Sequence, residues 1–497
     1  MDCAGGSPIA VASAESSRLN RSGKVRKKQW APKVKTGCVT CSCLKCSSTG
    51  RKCDGYDPVP REQTSSPDPV QMPPPWELVS GNPVELDSFR FFCDVTTPDL
   101  AAPFDTGFWS GRLLQVAHHY PALWHAMTAL GSIHRDFITD PTPIMASRTE
   151  DSQKIGFALL QFNTSIQCLR DMLAGPALTS LDRLVVLSIC ILFTCSSSLQ
   201  GRQWQAFMHI NSGLKLLHHW NLGSGDRSPP EEDLDMTMLL VALTQLDTQA
   251  RPYICGRLGN LQWTESPVVI PPVTPPFQSL LEAYIALEVH FNRMMQLVMS
   301  RTYDPTLESL SKKQKLVHDL HQWDDRLADY LSQMAPQPSD RQALRLINIR
   351  RAFTRIYLSL DPSKGELAHD DLIDDYADML QLAGEILDDA MQSRIDSPAQ
   401  PTFRLAATVI EPLFLIASRC REPTLRRQAL QLLKRHPRRE GICEGMSGAK
   451  VVQRVMDLEE QCLYSPEGCS GSGKWVCVDH RVTSMQQTDR KTDVVRK

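Results

Sequence analysis

From about Glu85 onward, apolar residues recur at helical spacing through most of the chain. Leu86, Phe89, Phe92 and Cys93 fall on one face. After Pro121, a residue suited to a first helical turn, Leu123, Met127, Leu130 and Phe137 continue the pattern. Ile155 to Leu173, Leu181 to Cys195 and Trp204 to Trp220 predict three further helices, punctuated by Gly and Pro at 174–176 and 222–230. Met236 to Leu246, Leu280 to Met299, Leu316 to Met334, Ala343 to Leu360 and Leu372 to Met391 extend the series. Leu405 to Cys420, Leu425 to Leu433 and Val451 to Cys462 close it. Strands are hard to find, and Ser266 to Pro276 carries too many prolines for a central strand or a helix. No fixed-period repeat signals a solenoid. The expected class is all-α, with one large multi-helix domain over residues 85–465.

The rest of the chain reads differently. Residues 1–35 form a Ser/Gly/Ala-rich segment ending in a basic run, expected to be disordered. Residues 57–84 contain eight prolines with Ser and Asp, a stiffened linker in which no apolar heptad can persist. The tail, 466–497, is expected to be disordered. At 497 residues the chain exceeds one ordinary domain, and 42% hydrophobic residues are enough for a sizeable core. The most apolar run, Leu184 to Cys195, is too short to span a bilayer and reads as a buried helix, and no secretory leader is visible. No membrane partner is expected.

Charge is divided unevenly. The formal net charge is −2, yet residues 1–60 hold eleven Lys/Arg against four Asp/Glu. A basic arm on an acidic body points to a polyanion partner for the arm alone. Lys24, Arg26, Lys27, Lys28, Lys33 and Lys35 suit a nuclear-import signal or a phosphate-binding arm, roles that are compatible; the competing reading is a solvated charge run.

Five of the sixteen cysteines, Cys38, Cys41, Cys43, Cys46 and Cys53, lie within Gly37 to Tyr56 as two nearly adjacent Cys-x2-Cys pairs. Zinc accepts four thiolates tetrahedrally, and metal binding supplies folding free energy to a segment too small for a core. Free or disulfide-bonded thiols are the alternative. The other eleven cysteines are scattered singly and fit reduced thiols in a cytosolic or nuclear protein.

The stretch GCVTCSCLKCSSTGRKCDGY resembles the fungal zinc-cluster DNA-binding domain, in which two zincs are held by six cysteines. Family members repeat C-x2-C-x6-C twice around a short loop. The second half, Cys43-x2-Cys46-x6-Cys53, is intact here, but only Ser42 separates Cys41 from Cys43. The third cysteine and its basic helix are missing. By the resemblance, Cys38 and Cys43 take the bridging places, so Cys38, Cys43, Cys46 and Cys53 make one complete zinc set. Cys41 with the two bridges makes an incomplete one, and no spacing favours water, Asp54 or Cys3 as its fourth ligand. The missing helix is the one that reads bases in the major groove. Lys45, Arg51 and Lys52 remain for phosphate contact.

Four stretches of the body are similar to a second family. RFFCDVTTPDLAAPFDTGFWSGRLLQVAHHYPALWHAMTALGSIHR resembles the N-terminal signature of the fungal-specific transcription-factor regulatory domain. LLQFNTSIQCLR and WQAFMHINSGLKLL match its next helices, and VIEPLFLIASRCREPTLRRQALQLLKRHPRREG its C-terminal signature. Cys443 stands where the family often has Trp. The resemblance implies a nuclear transcription regulator, not an enzyme, with DNA as its partner and transcription machinery or co-regulators as further ones. Secondary-metabolite cluster regulators commonly have this layout. The alternative is an interaction protein that has lost sequence-specific DNA binding.

Catalytic patterns fail on inspection. Gly468 to Lys474 imitates a phosphate loop, but Trp475 stands where Ser or Thr must bind magnesium. His118, His119, His125 and His134 lack zinc-hydrolase spacing, and Asp370, Asp371, Asp374 and Asp375 read as an acidic helix start. Cys469, Cys477 and His480 make at best an irregular, incomplete metal set.

Overall fold

The computed structural model describes residues 82–101, 106–139, 152–175, 177–220, 234–257, 276–299, 307–392, 400–461, 475–487 and 492–495, with single positions between them. Residues 1–71 form a separate unit that lies outside the described residues; everything below belongs to the unit beginning at Met72.

Helix α1 (Pro83–Phe91) opens with Asn82, whose side chain accepts from the Val84 amide, and Pro83 fits the first turn because its missing N–H has no helical partner. A π-helical turn, Phe92–Thr96, leads into α2 (Thr97–Ala101), and a second, Phe108–Arg112, into α3 (Leu113–Ala117). α4 (Pro121–Thr139) crosses α1 closely: at Gly131 an added Cβ would lie 2.2 Å from the Ser88 carbonyl oxygen. The chain continues through α5 (Ser152–Leu173), α6 (Ser180–Leu199), α7 (Gln203–His219) and α8 (Leu234–Arg257). Then come α9 (Leu280–Val298), α10 (Leu307–Gln333), α11 (Arg341–Ser359) and α12 (Ile373–Gln392), with a 3₁₀ segment, Pro362–Asp371, before α12. α13 (Ile410–Arg419), α14 (Pro423–Arg435) and α15 (Gly445–Glu460) form the C-terminal layer.

Packing follows chain order. α4 packs on α1, α5 and α6; α6 on α7; α8 on α9; α9 on α10 and α11; α11 on α12; and α13 on α14 and α15. One continuous apolar core runs from Phe89 to Met456. Burial on this scale is the main stabilising term, roughly 25 cal/mol per Å² of apolar surface removed from water. α6 is the centre: all residues from Leu184 to Leu199 are buried. The whole helix, Ser180–Leu199, is longer than its most apolar run and long and apolar enough to cross a membrane, yet it is the buried helix that the run predicts, with sixteen of its twenty residues buried in this body.

The mainly helical class holds, with small exceptions. β1 (Thr402–Arg404) pairs in parallel with β2 (Arg438–Glu440), which turns through Gly441 and Ile442 into antiparallel β3 (Cys443–Glu444). β4 (Ser484–Gln487) pairs antiparallel with β5 (Thr492–Val495). These strands are two to four residues long, and Arg438-Arg439-Glu440 has no apolar alternation to betray it. The helix expected from Leu405 starts at Ile410, because the preceding residues are drawn onto the carboxylate of Glu440. The tail expected to be disordered is packed over residues 475–482: Val476, Cys477, Arg481 and Val482 are all buried.

Candidate functional site

Cys38, Cys41, Cys43, Cys46 and Cys53 lie outside the described residues, as do Lys24, Arg26, Lys27, Lys28, Lys33, Lys35, Lys45, Arg51 and Lys52. Among the described residues, no group of three or more His, Cys, Asp or Glu is placed to hold a metal ion.

The histidines of the first half are dispersed. His118 and His119 follow α3 at the surface side, while His125 bonds Gln161 Oε1 at 2.6 Å. His134 is fully buried, its Nδ1 3.0 Å from Thr96 Oγ1 and its Nε2 3.7 Å from Asp99, with the rings of Phe91 and Phe403 edge-on beside it. It ties the α1–α2 turn to β1. The four aspartates divide as well. Asp374 and Asp375 open α12 as an acidic first turn, and Asp371 meets Lys364 at 2.7 Å. Asp370 is buried instead, gripped by Arg481. Cys477 Sγ lies 2.8 Å from His480 Nδ1; Cys469 and the glycine-rich 468–474 fall outside the described residues.

What the body holds in quantity is buried ion pairs. Around β2, Glu440 is fully buried and accepts from the amides of Thr408 at 2.8 Å, Val409 at 3.0 Å and Ile410 at 3.0 Å, and from the Thr408 hydroxyl. Arg438 Nε pairs with it at 2.9 Å. Arg439 donates to the Ser198 carbonyl at the end of α6. Gly441 has φ 54°, and Ser198 Oγ donates to its carbonyl at 2.6 Å. Gln249 of α8 completes the join, accepting from the Ile442 amide at 3.0 Å. The Arg438-Arg439-Glu440-Gly441 sequence is therefore a knot between the C-terminal layer and helices α6 and α8.

A second knot lies between α9 and α11. Arg350 is buried, with Glu288 at 2.8 Å, Glu411 at 3.3 Å, the Ala407 carbonyl at 3.1 Å and the Phe291 ring beneath its guanidinium at 4.2 Å. Burial pushes the Glu288 and Glu411 carboxyls up, and the one guanidinium they share only partly offsets it. The third joins α13, α14 and α15. Glu459 receives Arg421 and Arg426, each at 2.8 Å. Burial alone would raise the Glu459 carboxyl; the two guanidiniums prevail and hold it below the usual range.

Each of these carboxylates meets guanidinium or backbone donors, and none is among the residues lining the two grooves beside α12. The open concavities flank α12. One groove of about 360 Å³ lies between α12 and α14, floored by Leu380, Leu425 and Leu432 with Arg435 at its rim. Another of about 370 Å³ lies between α11 and α12, beside Arg351, Arg355 and Asp378. Both are shallow and share Gln381. Sequence reading missed the buried arginines, because charged residues read as solvated surface.

Comparison with known proteins places these features. Residues 88–455 match the family described as the fungal specific transcription factor domain. The chain is 26% identical over 429 residues to the aspercryptin biosynthesis cluster-specific transcription regulator atnN of Emericella nidulans, covering 75% of this chain and 67% of that protein. It is 25% identical over 192 residues to the transcription regulator lscL of Purpureocillium lilacinum, covering 36% of this chain and 45% of that one. No solved structure matches.

Proposed function

Because the chain belongs to the fungal specific transcription factor domain family, we propose that it is a nuclear transcription regulator of a biosynthetic gene cluster. In this reading the helical body is its regulatory domain, and the N-terminal cysteine segment is its contact to DNA. The observation that carries it is the family match over 88–455, with two relatives named as transcription regulators, one of them cluster-specific. The buried ion-pair knots are consistent with it: their carboxylates are spent on joining helices.

For the N-terminal segment the donor chemistry is the support. Cys38, Cys43, Cys46 and Cys53 would hold one zinc as four thiolates, which would order the segment and present Lys45, Arg51 and Lys52 toward phosphate. Deleting the gene should lower the transcripts of one contiguous set of biosynthetic genes, and chromatin immunoprecipitation should recover their promoters. Unchanged transcripts together with no promoter enrichment would overturn the proposal.

One observation favours a second reading. Only Ser42 separates Cys41 from Cys43, so the base-reading helix of the zinc-cluster family has no counterpart. The protein would then act at promoters through partners bound by its body. Promoter recovery that survives Cys46→Ser and Cys53→Ser would favour that reading.

A further inference from the structure

The matched family domain ends at residue 455, yet the chain makes some of its most fully bonded contacts after it. Residues 475–483 run around one short 3₁₀ turn, Val478–His480, with extended backbone at Cys477 before it and at Arg481 after it, and bury Val476, Cys477, Arg481 and Val482 while Val478 is partly exposed. Arg481 is 1% exposed. Its Nε donates to the Val476 carbonyl at 3.0 Å, closing the segment on itself. Its two terminal nitrogens fork onto Asp370 at 3.0 and 2.7 Å, and one also donates to the Glu366 carbonyl at 2.9 Å. Beside it the Val482 amide donates to Glu459 at 2.9 Å, and the Val482 carbonyl accepts from Arg419 at 3.0 Å.

The seat is built from three separate places: the 3₁₀ segment before α12, the end of α13 and the last turn of α15. Its chemistry is selective. Asp370 is buried, and a buried carboxylate is costly without a cation in good geometry. A guanidinium supplies two parallel donors to a carboxylate, which an ammonium cannot do. The backbone bonds at Val482 fix an extended chain beside the arginine, and buried Val476 and Val482 supply the apolar contact.

We propose that this seat is a peptide-binding site for an extended, arginine-bearing segment, occupied in cis by residues 475–483 as a strap across the C-terminal layer. Seating the strap locks the 3₁₀ segment to α13 and α15; releasing it frees a site that a like segment can enter.

Hydrogen exchange on the full chain tests this, together with a fluorescein-labelled peptide of residues 475–483. In the wild type the Val482 amide should exchange at least about a hundredfold more slowly than in the free peptide, as two or three buried charge-assisted bonds imply. Arg481→Ala should abolish that protection and leave the interior amides of α6 and α9 unchanged. The labelled peptide should bind the Arg481→Ala chain and not the wild type, whose seat is filled, and a peptide carrying the same substitution should bind neither. If the alanine variant does not fold, Arg481→Lys serves: it keeps the charge, cannot fork, and should lose most of the protection. Free-peptide exchange at Val482 in the wild type would overturn the proposal, as would undiminished protection in the Arg481 variants or equal peptide binding by both chains.

Discussion

Glu440 has no solvent exposure and accepts from three consecutive backbone amides and a guanidinium, so its ionised form replaces water with a complete set of donors. Glu440→Gln keeps the volume but leaves Arg438 without its charge and cannot accept through both ends. Breaking one side of a buried pair costs about 3–5 kcal/mol, and urea unfolding should show a loss of that order. Glu444→Gln, at a half-buried position, should cost well under half as much. Gly441 next door has φ 54°, and a Cβ there would stand 2.1 Å from Gln249 Oε1, so Gly441→Ala should also destabilise measurably. His209 shows how burial sets pH response at one residue. Its ring lies against Phe162 and Phe193, and burial lowers its pKa to about 4. The folded value lies below the unfolded one of about 6.5, so between them the unfolded chain binds a proton that the folded chain refuses. That contribution is complete above about pH 6.5 and is lost as pH falls toward about 4. His209→Phe should therefore lose less stability than wild type between about pH 7 and pH 5, by up to about 2 kcal/mol. Equal losses in denaturant midpoint would place the acid response elsewhere, with His369, lowered to about 3, the next group to examine.

Helix starts show where local chemistry was readable and where it was not. α6 begins with a reciprocal box: Thr179 caps the Asp182 amide at 3.1 Å, and Asp182 accepts from the Thr179 amide at 2.7 Å. Tyr120 also donates to Asp182 at 2.8 Å. Thr179→Ala should cost about 1 kcal/mol, visible as a lower thermal midpoint, whereas Thr164→Ala on the outer side of α5 should cost much less. The apolar period located α4, α5, α7, α9, α11 and α12 within a few residues, because each buries a hydrophobic stripe, and α6 likewise, because it is apolar and buried nearly all round; α10 begins at Leu307, nine residues before the expected Leu316, in a first stretch rich in lysine. It failed on α8, expected to stop at Leu246 but continuing to Arg257 past Pro252. Thr244, Gln245, Asp247 and Thr248 are buried there by bonding within the helix and with α9, as when Asn292 Nδ2 donates to Asp247 at 2.8 Å, and Gln249 by bonding Leu405 and Ile442 of the C-terminal layer. A helix whose buried face is polar has no hydrophobic period to detect. The start of α13, the strands around Glu440 and the seat of Arg481 were hidden for the same reason: charges bonded across 30 to 111 residues look, in one dimension, like solvated surface. The Arg438-Arg439-Glu440-Gly441 signature was visible as a pattern, and only its partners in α6 and α8 explain it.

At the scale of the whole molecule the arm and the body carry opposite charge, with eleven Lys/Arg against four Asp/Glu in residues 1–60 and an overall net charge of −2. Binding to a polyanion should therefore be an affair of the arm, and its metal content should follow the thiol count. If the cysteines take the places that the zinc-cluster resemblance implies, the full chain should hold one tightly bound zinc, with Cys38, Cys43, Cys46 and Cys53 as its set of four. Cys46→Ser or Cys53→Ser should remove it, and Cys41→Ser should cost less. Two tightly held zincs by metal analysis would refute that ligand assignment. DNA recognition by such an arm would depend on what it has left. Lys24, Arg26, Lys27, Lys28, Lys33, Lys35, Lys45, Arg51 and Lys52 offer nine cations, while the position of the base-reading helix holds only Ser42. Cations that neutralise phosphates release counterions, so affinity falls linearly on logarithmic axes with a slope near 0.9 for each phosphate contacted. Sequence preference needs side chains at base edges, which phosphate contacts do not supply. The expected result in a competition assay is a steep salt slope with a specificity ratio far below the roughly thousandfold or more of specific binders. Inserting a Cys-containing basic segment of about fourteen residues between Cys41 and Cys43, on the zinc-cluster pattern, should raise both the zinc content and the preference for a short G/C-rich element. Strong preference for one sequence by the unmodified chain at physiological salt would mean that residues outside this set read bases, and would remove the main support for a regulator recruited by its partners.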